Sequence, residues 1–170
     1  KTRKEARFMT LNGLVKVNNT VRRDENFPVQ VFDTINLDKA KINYRLEILN
    51  KKFSLKKISE KEALKKIVKI TGKSFISENT IQMNLDDGRN IITKEKFSVG
   101  DSILLNTKES KIINILPLKK GSNIEVILGK HAGEKGKLIG HENLARGKNY
   151  LIKLAKGEVG LPLNALLVIE

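Results

Sequence analysis

The chain has 170 residues, of which 33 are lysine or arginine and 19 are aspartate or glutamate, so its net charge is +14. This excess favours a polyanionic partner, with nucleic acid as the first candidate and an anionic membrane surface as the second. The absence of cysteine excludes a disulfide framework, a cysteine-based zinc site and a thiol nucleophile, and no apolar run approaches the length of a membrane span.

The beginning of the chain predicts the end of a helix followed by a hairpin. Residues 1–12 are basic with scattered apolar positions, and Gly13 suits the residue just after a helix. Two β-rich runs flank Asn18-Asn19, because asparagine tolerates the positive φ of a type I′ turn. Residues 27–31 are predicted to be extended, with Pro28 at a sheet edge.

The next segment predicts a second hairpin and then a helix. Apolar residues alternate within 42–58, with a turn at 50–52. A capping-box pattern at 59–62 predicts the start of a helix over about residues 60–70. That helix would align Lys61, Lys65 and Lys69 on one face. Such a lysine row fits either a polyanion-binding face or a merely solvated one.

The remainder of the chain predicts short strands. Asp87-Gly88 is a strong hairpin signal, and 117–121 has the composition of a linker. The last fifty residues favour a small barrel because their short strands are evenly spaced between glycines. Strands are predicted near residues 81–85, 89–92, 102–105, 112–116, 124–128, 136–140, 149–154, 159–162 and 165–169.

The positive charge is concentrated in two parts of the chain. Residues 1–75 carry a net charge of +11, residues 76–118 carry −1, and residues 119–170 carry +4. This distribution predicts at least two nucleic-acid-facing surfaces. Cations from Lys1 to Arg7 would join Arg22 and Arg23, and a glycine-rich basic loop over 129–140 would let backbone approach phosphates closely.

No catalytic site or cofactor site is predicted. Gly72-Lys73-Ser74 resembles the end of a phosphate-binding loop, but Ile67 stands where that motif needs glycine. His131 and His141 lack a cluster of further metal ligands, and no nucleophile–base pair is visible. Aromatic residues make up 5% of the chain and are predicted to be scattered in the core. Recognition of folded RNA through shape and phosphates therefore fits better than base stacking.

Several motifs, in order along the chain, resemble the S4e family of archaeal and eukaryotic small-subunit ribosomal proteins. Asn18-Asn19 replaces the Asp-Gly turn of that family, and its glycine turns near Lys51 and Lys108 are absent. The end resembles a KOW motif through Gly129, Gly133 and Gly136. The other matching segments are 14–24, 27–28, 32–35, 43–46, 57–59, 62–63, 87–89, 99–103, 163–164 and 168–169, with Phe53.

The resemblance implies an α+β, mostly β chain of three modules. These are the C-terminal part of an S4-like RNA-binding domain at 1–37, a central β-rich domain with one helix at 38–118, and a KOW SH3-like barrel at 119–170. It also implies a missing N-terminal portion and a further C-terminal extension. It implies a non-enzymatic, cytoplasmic constituent of the small ribosomal subunit that contacts rRNA and neighbouring ribosomal proteins, without cofactor, small-molecule substrate or membrane.

Two other classes remain open from the sequence. A KOW-containing transcription elongation factor would bind RNA polymerase, and an RNA-modifying enzyme would need a separate catalytic domain. For the RNA-binding interpretation, the cations and one imidazole of the basic segments are the predicted contacts. They are Arg3, Lys4, Arg7, Lys16, Arg22, Arg23, Arg45, Lys51, Lys52, Lys56, Lys57, Lys130, His131, Lys135 and Lys137.

Overall fold

The structure is a computed structural model that describes residues 2–77, 80–144, 147–155 and 157–170. Within these ranges, two α-helices accompany fifteen strands arranged in three five-stranded sheets. The prediction of a mostly β chain is therefore confirmed. The chain divides into two compact units: unit 1 comprises Lys1–Glu47, Phe53–Lys66 and Leu105–Lys111, and unit 2 comprises Ile48–Lys52, Ile67–Leu104 and Ile112–Glu170. The three-module division stays a prediction.

The predicted first helix is present as α1, Arg3–Leu11. Its start is a capping box, in which the Thr2 hydroxyl accepts from the Glu5 N–H and the Glu5 carboxylate accepts from the Thr2 N–H. Gly13 ends the helix with φ of +68°, and its N–H donates to the Thr10 carbonyl over 2.9 Å. The glycine signal in the sequence therefore gave the correct end.

The first sheet confirms both hairpins predicted in the first third of the chain. Asn18-Asn19 and Asn50-Lys51 form their turns, with positive φ at all four residues. The spatial order is β2-β1-β3-β4-β5. Its strands are β1 (Val15–Val17), β2 (Thr20–Val21), β3 (Thr34–Leu37), β4 (Ile42–Leu49) and β5 (Lys52–Ile58), with a 3-10 turn at Asp38–Ala40.

The prediction of an extended sheet-edge run at residues 27–31 is wrong, since no strand is formed there. Side chains hold this segment instead of a strand partner. The Gln30 N–H donates to the Asp33 carboxylate over 2.8 Å, and the Phe27 ring lies under the Arg22 guanidinium.

The predicted helix over 60–70 is also wrong beyond its first turn. The capping box of Ser59 and Glu62 is present, but α2 spans only Glu60–Ala63 and β6 (Lys65–Ser77) follows at once. Lys66, Val68 and Ile70 lie on one face of that strand and are buried, as expected where a strand packs one face against the core, and Lys69 between them is buried as well. Lys61, Lys65 and Lys69 therefore share no helical face, and the polyanion-binding row inferred from them does not exist.

The second sheet contains β6 and has the order β10-β9-β6-β7-β8. Asp87-Gly88 forms the predicted tight turn, with Gly88 at φ of +81°. Ile70, Met83 and Ile103 are fully buried in unit 2. The remaining strands are β7 (Thr80–Leu85), β8 (Asn90–Thr93), β9 (Ser102–Asn106) and β10 (Lys111–Leu116).

The third sheet holds all the described strands after residue 120, in the order β14-β13-β12-β11-β15. The five strands predicted for this region are present, and β12 is longer than expected. Its core includes Ile124, Val126, Ile152 and Leu166. The strands are β11 (Asn123–Val126), β12 (Lys135–Leu144), β13 (Gly147–Leu154), β14 (Gly157–Pro162) and β15 (Leu166–Val168), with a 3-10 turn at Leu163–Ala165.

Candidate nucleic-acid interface

Helix α1 presents the first group of predicted cations to solvent. Arg3, Lys4 and Arg7 are exposed, and α1 buries none of its residues. The Arg7 Nε lies 3.6 Å from the Glu25 carboxylate, so part of its charge is balanced locally. Lys1, which the sequence grouped with them, lies outside the described residues.

The arginines after the first hairpin have different surroundings. The Arg22 guanidinium lies 4.1 Å from the centre of the Phe27 ring, a cation–π contact. Its Nε is buried without a hydrogen bond in the described part of the chain. The Arg22 side chain therefore packs against Phe27, in the segment between β2 and β3. Arg23 is exposed beside Gly13.

Lys16 lies in unit 1 along a polar groove of about 900 Å³. Its Nζ is 2.5 Å from the Asp38 carboxylate. Asn36 and Asn43, which are paired across β3 and β4, line the same groove, and the Asn36 amide donates to the Asn43 oxygen over 2.8 Å. The groove is also lined by the exposed Lys41 and by Glu60, so its charges are mixed.

The Arg45 side chain forms hydrogen bonds with the protein backbone. Its Nη2 donates to the carbonyls of Glu62 and Lys65 over 2.9 and 3.2 Å, which fixes β4 against α2 and the start of β6. The sequence placed Arg45 among the RNA contacts, and the structure gives its guanidinium these two intramolecular acceptors.

The second hairpin carries the exposed lysines that the sequence singled out. Lys51, Lys52, Lys56 and Lys57 are all exposed on the turn and on β5. The Lys56 Nζ lies 3.5 Å from the Glu47 carboxylate. β5 thus presents cations along an edge of the first sheet.

The third group of predicted contacts lies on the glycine-rich loop before β12 and on the first residues of β12. A Cβ on Gly133 would lie 2.7 Å from the Ile48 carbonyl oxygen, so only glycine fits this close approach. Lys130 and Lys137 are exposed. The His131 Nδ1 lies 3.4 Å from the Glu134 carboxylate.

Lys135, the first residue of β12, has a buried acidic neighbour. Its Nζ lies 3.4 Å from the carboxylate of Glu125, which is buried on β11. A phosphate at Lys135 would therefore compete with this carboxylate. Lys130 on the loop and Lys137 on β12 are the more available cations of this group.

Two lysines of β6 are buried. Lys66 is 2% exposed, and its Nζ lies 2.7 Å from the buried Asp33 carboxylate. Lys69 is 5% exposed and its Nζ donates to the Leu163 carbonyl. Burial lowers the pKa of Lys69 to about 8, while the charge of Asp86 acts in the opposite direction.

Sequence reasoning missed the exposed aromatic residues. Phe8, Phe53 and Phe75 expose between 65% and 74% of their surface, whereas the sequence placed the aromatics in the core. The alternation of residues 53–57 could have indicated that Phe53 and Lys57 share one face of a strand.

No three histidine, aspartate or glutamate side chains in the described residues are grouped to hold a metal ion. None of the helices formed by the described residues is long and apolar enough to cross a membrane.

Comparisons with known proteins all point to one family. The model of the ribosomal family S4e matches residues 40–112. The small ribosomal subunit protein eS4 of Pyrobaculum aerophilum is 34% identical, over 93% of this chain and 68% of that protein. The eS4 protein of Methanosphaera stadtmanae is 36% identical, over 79% of this chain and 56% of that protein.

A solved structure agrees with these sequence relatives. The crystal structure of the 30S ribosomal protein S4e from Thermoplasma acidophilum has a TM-score of 0.84 and 27% identity, and the match covers 98% of this chain and 85% of that one. The curated relatives are longer, since this chain spans only 56 to 68% of the two described above.

Proposed function

Because this chain belongs to the ribosomal family S4e, we propose that it is a structural constituent of the small ribosomal subunit, located there in the cytoplasm. Its relatives are named as small-subunit proteins, and the resemblance identified from the sequence is thereby confirmed. The basic first part of the chain and the names of the relatives favour this function over an elongation factor that binds RNA polymerase.

The observation that carries the proposal is the set of exposed cations that the described residues present in both units. Lys4, Arg23 and Lys57 in unit 1 and Lys130 and Lys137 in unit 2 are all exposed. Such side chains neutralise phosphates and release counterions, which gives affinity with little dependence on RNA sequence. We infer a non-enzymatic role with rRNA and adjacent ribosomal proteins as partners.

The family resemblance also implies a finer division of the chain into modules. We infer that residues 1–37 are the end of an S4-like RNA-binding domain, 38–118 a central domain and 119–170 a KOW SH3-like barrel. The last assignment is supported by the third sheet, which draws all its strands from that segment, and by the glycine-rich basic loop before β12.

The salt dependence of binding to small-subunit rRNA tests this proposal. We expect Lys4→Ala, Arg23→Ala and Lys137→Ala each to reduce the slope of log affinity against log salt by about 1. Lys96→Ala is the matched control, because Lys96 is exposed but lies in the segment without net positive charge. If the slopes of the three variants equal those of Lys96→Ala and of the parent chain, these cations do not contact the RNA. If the parent chain does not bind small-subunit rRNA at all, the proposed function is contradicted.

A further inference from the structure

One strip of the edge strand β5 combines an exposed ring with a cation. Phe53, Leu55 and Lys57 point to one face of the strand, because successive residues of a strand alternate between faces. Phe53 exposes 73% of its surface and Leu55 exposes 53%, and Lys57 is also exposed. All three residues belong to unit 1.

We propose that Phe53 is the platform on which an unpaired base of the bound RNA stacks, with Lys57 pairing with a phosphate of the same strand. This inference rests on the proposed rRNA binding and names the class of RNA at this site, a single-stranded loop or bulge. An exposed phenylalanine buries its ring when a base covers it, and base–aromatic stacking is independent of base identity.

The charge around Phe53 favours a nucleic acid as the occupant. Lys57 lies on the same face of β5 as the ring, and Lys52 and Lys56 are exposed on the opposite face of the same strand. Two carboxylates balance part of this charge: that of Glu47, which lies 3.5 Å from the Lys56 Nζ, and that of Glu62, whose pKa is lowered mainly by the hydrogen bonds of its capping box and, to a smaller degree, by the charge of Lys56. RNA supplies the two features that this strip matches, a flat apolar ring surface and a chain of phosphates.

The strip discriminates between unpaired and paired RNA. In a duplex, each base is already stacked on its neighbours and its faces are covered, so only the phosphates remain for Lys57. In a loop, a base can turn outward and cover the Phe53 ring. Single-stranded RNA is therefore the ligand that uses both Phe53 and Lys57.

Phe53→Trp provides a direct reporter of stacking, because the chain contains no other tryptophan. We expect its fluorescence to be quenched by a single-stranded adenosine oligonucleotide. Heparin, a polyanion without bases, and poly-L-glutamate, an acidic polypeptide, should bind without comparable quenching. Equal quenching by either of these polymers, or RNA binding without quenching, would overturn the proposal.

Truncation variants separate stacking from general apolar contact. We expect Phe53→Leu to weaken binding of the same oligonucleotide by roughly 5- to 100-fold, with an unchanged salt slope, because stacking is not an ionic contact. Leu55→Ala, on the same face of β5, is the matched control and should have a much smaller effect. Lys57→Ala should lower the slope.

The outcomes also separate this site from the proposed function. Wild-type affinity in Phe53→Leu would remove the stacking site while leaving rRNA binding intact. Equal losses in Phe53→Leu and Leu55→Ala would also contradict stacking. Because Phe53 is exposed, both variants are expected to keep the thermal stability of the parent chain.

Discussion

At the residue scale, the buried ion pair of Lys66 and Asp33 stabilises the fold. The sequence alone does not distinguish Lys66 from a lysine at the surface. Lys66 and Asp33 are both buried, with Nζ and carboxylate 2.7 Å apart. The Asp33 carboxylate also accepts from the Asn18 amide over 2.8 Å. A buried carboxylate of this kind fixes the loop before β3, because removing one partner of such a pair is costly.

We predict that Asp33→Ala lowers the free energy of unfolding by about 3 to 5 kcal/mol, because it removes the carboxylate that balances the buried Lys66 ammonium. The quantity can be measured by urea denaturation. Asp33→Asn is the matched control, because it keeps the shape and some hydrogen bonds but not the charge, and a smaller loss is expected. A loss below 1 kcal/mol for Asp33→Ala would show that the pair does not stabilise the fold.

The lowered pKa of Lys69 predicts that the free energy of unfolding depends on pH. Its pKa in the folded chain is about 8, below its ordinary value of 10.5. Between these pH values an unfolded Lys69 keeps the proton that the folded one has lost, so the free energy of unfolding rises with pH from about 8 to about 10.5. Below pH 8 both states are protonated, and the native state bears the full cost of the buried charge.

The comparison that isolates this effect is with Lys69→Met, which cannot titrate at that position. Across this window the stability of the parent chain should rise relative to the variant by on the order of 2 kcal/mol. Parallel pH profiles for the two proteins would contradict the lowered pKa.

At the element scale, turns were predicted from the sequence more reliably than the element after Ser59. Asn18-Asn19 and Asp87-Gly88 are local signals, since these residues adopt positive φ with little cost. The segment after Ser59 combines a helix start signal with Ile67, Val68 and Ile70, whose branched side chains prefer a sheet. The structure resolves the conflict in favour of the strand β6, whose residues Val68 to Ile70 are buried. Burial depends on the rest of the fold, which a local pattern does not show.

The turn of the second hairpin yields a prediction. Lys51 has φ of +65°, a conformation that costs an L-residue with a side chain roughly 1 to 2 kcal/mol. We expect Lys51→Gly to stabilise the chain by about 0.5 to 1 kcal/mol after allowing for the backbone entropy of glycine. Lys52→Gly, one residue later in β5, should destabilise it by a similar amount. Thermal unfolding measures both changes, and destabilisation by both would contradict strain at Lys51.

The candidate interface was partly predictable at this scale. Basic segments indicated that cations lie on α1, on β5 and before β12, and those surfaces are exposed. The sequence could not show that Arg45 is bound to the carbonyls of Glu62 and Lys65 or that Phe53 is exposed, because both depend on which neighbours the fold supplies. The RNA contacts themselves stay predictions.

At the scale of the whole molecule, family membership followed from motifs spread along the chain, whereas the two compact units could not be predicted from them. Unit 1 and unit 2 each combine discontinuous segments, and no local pattern marks where the chain passes from one to the other. The net charge of +14 overstates the cations available to RNA, since Lys66 and Lys69 are buried. Exposed residues of both units supply the cations on which the proposed rRNA contact depends.

The most direct test of the central claim is sedimentation of ribosomal subunits from a native lysate after a high-salt wash. If the chain is an integral constituent, it will be present in the small-subunit peak at one copy per particle, because many phosphate contacts together resist the salt. Recovery at the top of the gradient, or together with RNA polymerase, would contradict a structural role in the small ribosomal subunit.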